Sequence, residues 1–371
     1  MLRWARERAR LDMDSLAPRF PRLAEWEDET ARPTLKQIES FAHATHAPVG
    51  FFFLAEPPVE TVPIPDFRTD GARRVERPSA DLLDTIYICQ QRQEWYRDFA
   101  RSNRHDPLGF VGSMGIDGEV VGAAATMRAA LGLNLEERRQ FGTWTDALRA
   151  FIAQADALGV LVMVNGVVGN NTHRGLDPRE FRGFALADRW APLVFINGAD
   201  SKAAQMFTLA HELAHIWLGQ TALSDVEPVT TPQDQVERWC NRVAAELLVP
   251  MAVLREEYQP GEDLPEAVSR LARRFKVSTL VILRRIHDAG GLTRDEFWAG
   301  YRAELDRIRE IPRGSGGNFY LTETARVGRR MALALVSSTL EGQTLHRDAY
   351  RLLGISKHAT FSDLAHSLGV A

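Results

Sequence analysis

The sequence predicts a mostly helical α+β protein, and three observations carry that prediction. Apolar residues recur at helical spacing along most of the 371 residues. Short apolar runs of strand type are confined to residues 160–197. A Pro-rich stretch, 57–78, separates a group of short N-terminal helices from the rest. Hydrophobic residues make up 45% and charged residues 25% of the chain, as in ordinary globular proteins. The net charge of −4 gives no global pull toward nucleic acid or acidic membranes. Two cysteines, Cys89 and Cys240, are too few for a disulfide framework and fit a reducing, cytoplasmic setting. The start, "MLRWARERAR", lacks the apolar core of a signal peptide. No run approaches about 18 apolar residues, so no membrane span is expected.

Taken in order, Leu2, Ala5, Ala9 and Leu11 roughly follow a helical period. Asp12 or Asp14 can cap a second helix, and "PRLAEWEDE" reads as a third. Pro33 and Thr34 start a fourth, with Leu35, Ile38, Phe41 and Ala42 on one face, which stops at Pro48. After the Pro-rich segment, read as an extended linker or arm, "ADLLDTIYICQQRQEWYRDFARSN" is a long amphipathic helix. "DALRAFIAQADALG" is another, ended by Gly159. "VLVMVNGVV" reads as a buried strand, and "GFALADRWAPLVFIN" as a hairpin turning at Asp188 and Arg189. "DQVERWCNRVAAELLV" is a helix ending at Pro250. Residues 255–371 are mostly helical, with a break near Val277 and Ser278 and a link at "PRGSGGN", 312–318.

The chemistry concentrates in "FTLAHELAHIWLG", 207–219. Residues four apart on a helix differ by about 40° in direction, so His211 and His215 share a face and can grip one ion. Glu212 lies about 100° further round, free to act on a water rather than the metal. Zinc lowers the pKa of a coordinated water to about 7, and a neighbouring carboxylate completes its activation. The helix is otherwise apolar nearly all round and so is expected to be buried. Its three ionisable groups then need partners. A three-ligand site needs one more donor, and Asp225, Glu227, Asp234, Glu237 and Glu246 are downstream candidates. On a helix, Cys240, Ala244, Leu247 and Leu248 fall within about 80° of Glu237, which puts it at the apolar edge. Asn241 shares that face and can orient a ligand. Glu246 lies about 180° away beside Arg242 and reads as a solvated charge. Glu237 is therefore the expected third ligand, with Asp225 and Glu227 as loop alternatives. The preceding strand "LVFIN" is expected to offer an edge to an extended peptide.

"FTLAHELAHIWLG" followed by "ERWCNRVAAELLVP" resembles the ImmA/IrrE family of bacterial metallo-endopeptidases. The resemblance implies a zincin-like core with zinc on His211, His215 and Glu237 and with Glu212 as the catalytic glutamate. It implies cleavage of a protein partner, a helix-turn-helix repressor or antitoxin-like regulator, and hence control of transcription or a stress response. "DSLAPRF" and "LAEWEDETARPTLKQIESFA" resemble an XRE-type helix-turn-helix domain. Pro18 and Pro21 stand where helix and turn should run, and Glu25, Glu27, Asp28 and Glu29 lie near where phosphates would sit. DNA contact, protein contact and a homodimer are all open for this domain. The expected division is a helix-turn-helix-like domain at 1–56, a linker at 57–78, a zincin-like core at 79–254 and a helical region at 255–371. The alternative function is a non-catalytic, zinc-containing DNA-binding or antitoxin-like regulator.

Other groups are read as structural. His173 lies in a turn-rich loop and reads as a surface histidine. Cys240 reads as small apolar packing rather than a soft ligand. His43 and His46 have no carboxylate or cysteine at metal spacing. Nothing singles out Tyr320 or Arg182 for substrate. "GSGGN" lacks the lysine and strand of a phosphate loop. In "LARRFKVSTLVILRRIHDAGGL", Val277, Leu280, Val281 and Leu283 read as core, and Arg273, Arg274, Arg284 and Arg285 as a solvated face.

Overall fold

The computed structural model describes residues 1–67, 78–224, 234–310 and 324–370. Asp225, Glu227, Tyr320, the 312–318 link and residues 68–77 of the Pro-rich segment lie outside these. The chain falls into two compact units, Met1–Pro63 with Ala72–Tyr87, and Ile64–Gly71 with Ile88–Ala371.

The first unit contains helices α1 (Leu2–Arg8), α2 (Met13–Leu16), α3 (Leu23–Glu27) and α4 (Leu35–Thr45). Asp12 is the cap of α2, accepting from the Ser15 amide at 2.7 Å. Thr34 and Gln37 form a reciprocal capping box at the start of α4. Ala5, Leu16, Phe20, Leu23, Trp26, Phe41 and Ala47 make its core, with Phe20 edge-on to Phe41 at 5.2 Å. Arg6 pairs with Glu27 at 2.7 Å, and Arg3 with Asp28 at 3.0 Å.

The second unit follows with α5 (Ala80–Ser102), whose first residues belong to the first unit, and then α6 (Val120–Leu131), α7 (Leu135–Gln140) and α8 (Trp144–Leu158). Gly159 ends α8 at φ 112°, a conformation a Cβ would resist. Strands β1 (Leu161–Asn165), β4 (Gly183–Leu186), β5 (Leu193–Asn197) and β6 (Ala222–Ser224) form a mixed sheet in the order β1-β5-β4-β6. β1 pairs with β5 in parallel, and the other two pairings are antiparallel. β2 (Val167–Val168) and β3 (Asn171–Gly175) form a separate ribbon. The expected β4–β5 hairpin is present, but "LVFIN" is not an edge. β5 lies between β1 and β4 and is buried at all five positions, so it has no free edge to offer a peptide. The edge is β6. Its outward Leu223 amide donates to the Pro65 carbonyl at 2.9 Å, and its carbonyl accepts from the Phe67 amide at 3.0 Å. Part of the Pro-rich segment is thus docked on the sheet.

Helix α9 (Lys202–Leu218) carries the two histidines and packs on β4, β5 and α8. Ser201 caps its start and Gly219 its end, at φ 70°. Helix α10 (Gln235–Leu248) packs against both α9 and α6. Then come α11 (Met251–Glu257), α12 (Leu264–Phe275), α13 (Thr279–Asp288) and α14 (Arg294–Glu310). The α12–α13 break sits where the sequence placed it, with Ser278 capping α13. One apolar cluster runs from Val111 to Phe297. Helices α15 (Arg329–Leu340), α16 (His346–Leu353) and α17 (His358–Leu368) complete the described chain. Among the described residues no helix is long and apolar enough to cross a membrane.

The solvated-face expectation fails for Arg285. Its side chain is buried and pairs with the Glu246 carboxylate, also buried, and it donates to the Val249 carbonyl at 3.0 Å. Glu246 is therefore not a solvated charge beside Arg242.

Candidate metal centre

α9 and α10 cross so that two imidazoles and one carboxylate converge. His215 Nε2 lies 3.0 Å from His211 Nε2 and 3.0 Å from Glu237 Oε1. His211 Nε2 lies 3.2 Å from Glu237 Oε2. Ligands about 2.0–2.1 Å from a tetrahedral ion stand roughly 3.3–3.4 Å from each other, so this spacing fits one small cation. Among the described residues these three form the single group of this kind. Cys240 is buried nearby but outside it. Asp234 caps α10, accepting from the Val236 amide at 2.7 Å.

The surroundings set the state of each group. Asn241 Oδ1, an acceptor, lies 2.9 Å from His211 Nδ1. That places the proton on Nδ1 and leaves the Nε2 lone pair turned to the cluster. Burial lowers the His215 pKa and so favours the neutral imidazole, a protonation state that can ligate. Burial opposes the charge on Glu237, yet the two histidines hold its carboxyl well below the usual carboxylate range. The Ser224 hydroxyl, at the end of β6, donates to Glu237 at 3.4 Å.

Glu212 is the exception. It is fully buried, and neither carboxylate oxygen has a hydrogen-bond partner among the described residues. Burial pushes its pKa well above the ordinary value, and the Glu237 charge adds to the rise. Gly183 on β4 leaves the space, since a Cβ there would stand 3.2 Å from Glu212 Oε1 and 2.6 Å from Thr208. An unpaired buried carboxyl beside a converging donor set marks a candidate proton carrier.

Away from the cluster, His173 is exposed on β3 and Arg182 pairs with Asp200 at 3.2 Å. Two participants were not read from the sequence. Ser224 precedes an undescribed stretch and carries no motif. The Phe67 ring stacks on His215 with centroids 6.3 Å apart and planes at 25°. Its one signal was a lone aromatic within "PIPDF", a segment read as linker.

A short mixed sheet under a helix that carries both histidines, with a carboxylate from the next helix, defines a metallopeptidase type of domain. Residues 155–287 match the family model of the IrrE N-terminal-like domain, Peptidase_M78, which supports placing this segment with the ImmA/IrrE family. The chain is 33% identical over 153 residues to the radiation response metalloprotease IrrE of Deinococcus radiodurans. That stretch is 37% of this chain and 46% of the relative, so the likeness spans just under half of the curated protein. Residues 327–367 match a domain of unknown function, DUF8813.

Proposed function

We propose that this chain is a zinc-dependent endopeptidase acting on a protein partner, with His211, His215 and Glu237 as ligands and Glu212 as the general base. The observation that carries this reading is the joint geometry: three donors at 3.0–3.2 Å, with Glu212 beside them unpaired. A zinc ion so held would act as a Lewis acid toward the scissile carbonyl and a water. Glu212 would take the proton from that water and return it to the leaving amine. Burial raises the pKa of this carboxyl and so makes it a stronger base for that transfer. Asn241 would hold the His211 tautomer and orientation.

The partner class proposed is a helix-turn-helix repressor or antitoxin-like regulator met in the cytoplasm, with control of transcription or a stress response as the consequence. It rests on the family resemblance. For residues 1–56 we propose protein contact rather than sequence reading of DNA. Helix α3 has five residues, about 7–8 Å of helix, and Arg3 and Arg6 are paired with Asp28 and Glu27. The division at 57–78, 79–254 and 255–371 is kept as part of the same proposal.

The test is metal analysis with a cleavage assay on candidate repressors. Near-stoichiometric zinc is expected in wild type, Glu212→Gln and Glu246→Gln, with loss in Glu237→Ala. Glu212→Gln should keep the metal and lose cleavage. Metal-free wild type, or zinc lost only on changing Glu246, would sink the ligand assignment.

A further inference from the structure

His211, Glu212 and His215 are 0% exposed and Glu237 is 3% exposed. A polypeptide cannot reach these groups in this conformation. Part of the cover is identified. Residues 65–67 run parallel to β6, bridged at Asp66 and Leu223, through the Leu223-to-Pro65 and Phe67-to-Leu223 hydrogen bonds. The Phe67 ring then lies over the His215 imidazole. β6 is the sheet edge next to the donor set, as Ser224 reaches Glu237. An extended peptide that adds to a sheet does so at an unpaired edge. Here the chain's own segment fills that edge.

We propose that β6 is the docking edge for an extended substrate strand, and that residues 65–67 are a self-docked strand that must lift before a polypeptide can enter. Two backbone hydrogen bonds and one ring stack are among the contacts that hold the segment, Asp66 makes a further interaction, and Ile64 is buried. β5, by contrast, is paired on both sides. Short edge pairings of this kind open locally without global unfolding. The contact is thus autoinhibitory: the same residues that complete the sheet close the site. Its meaning for activity rests on the metallopeptidase reading, but the lifting itself does not.

The experiment separates the two. Chelator-treated full-length protein is labelled with diethyl pyrocarbonate, and each histidine is followed by mass spectrometry. Exposed His105 and His173 are internal controls. Wild type should protect His215, and Phe67→Ala should label it at least tenfold faster with the controls unchanged. Equal His215 labelling in a folded Phe67→Ala variant overturns the proposal. Should that variant not fold, wild-type hydrogen exchange decides. The Phe67 and Leu223 amides should exchange together and at least tenfold faster than those of β5. Exchange as slow as that of β5 means a permanent strand and overturns it too. Zinc content plays no part in either readout, so a failed metal site and a failed strap give different results.

Discussion

Glu237 and Glu246 sit on opposite faces of α10, and both are buried. A helical wheel sees only its own helix. It placed Glu237 at the apolar edge, but it had no view of Arg285, which closes over Glu246 from α13. Arg128 on α6 adds to the cover by donating to the Glu246 carbonyl at 2.7 Å. The two glutamates should therefore fail differently. Glu246→Ala leaves a buried arginine uncompensated and should cost about 3–5 kcal/mol in urea unfolding. Its metal content should stay unchanged wherever the fold survives. Asn241→Ala should unfold near the wild-type midpoint but weaken zinc binding about 10–100-fold, read by competition with a chromophoric chelator. Cys89 offers a check on the core around β1. Its thiol lies 4.0 Å from the Met163 sulfur, and burial pushes its pKa up to about 12. Since the thiolate reacts, the native protein should leave Cys89 unlabelled by a disulfide reagent at about pH 8, and denaturant should expose it.

Helix ends were legible because their chemistry is local. Thr34, Gly159 and Ser278 each stand where the chain begins or stops a helix. Helix α6 is legible only at its end, Gly132 at φ 64°: Ala123, Ala124 and Met127 face inward, while Val121, Ala125 and Ala129 face out, so no apolar contrast marks a side. The hairpin β4–β5 was legible from its turn. The pairing of β1 with β5 joins segments distant in sequence, and nothing local encodes it. The run "LVFI" did carry a clue, since a strand apolar at every position is more often interior than edge. Gly183 on β4, which leaves room for Glu212, also yields a test. A Cβ at Gly183 would meet the Phe195 carbonyl at 2.8 Å as well as Thr208 at 2.6 Å. Gly183→Ala should therefore destabilise by about 1–3 kcal/mol, with Glu212 displaced. Equal stability of this variant in urea would mean that β4 shifts without strain.

At the scale of the whole chain, an ion held by the cluster would link elements that the backbone alone does not join. His211 and His215 come from α9, and Glu237 comes from α10 after β6 and an undescribed stretch. The unfolded chain does not hold these donors together, so a metal that binds them must favour the folded state. Free zinc at about a hundred times its Kd adds about 2.7 kcal/mol. For a unit of this size each kcal/mol moves the midpoint by roughly 2 °C, which makes the expected rise roughly 5 °C. Chelator should lower Tm by that amount and added zinc should restore it. Glu237→Ala should melt at one temperature with or without zinc, because it lacks a donor. Glu212→Gln should keep the full zinc-dependent rise, because its side chain carries a proton rather than the ion. A rise that survived in Glu237→Ala would place the ion elsewhere, on donors other than the cluster where α9 meets α10.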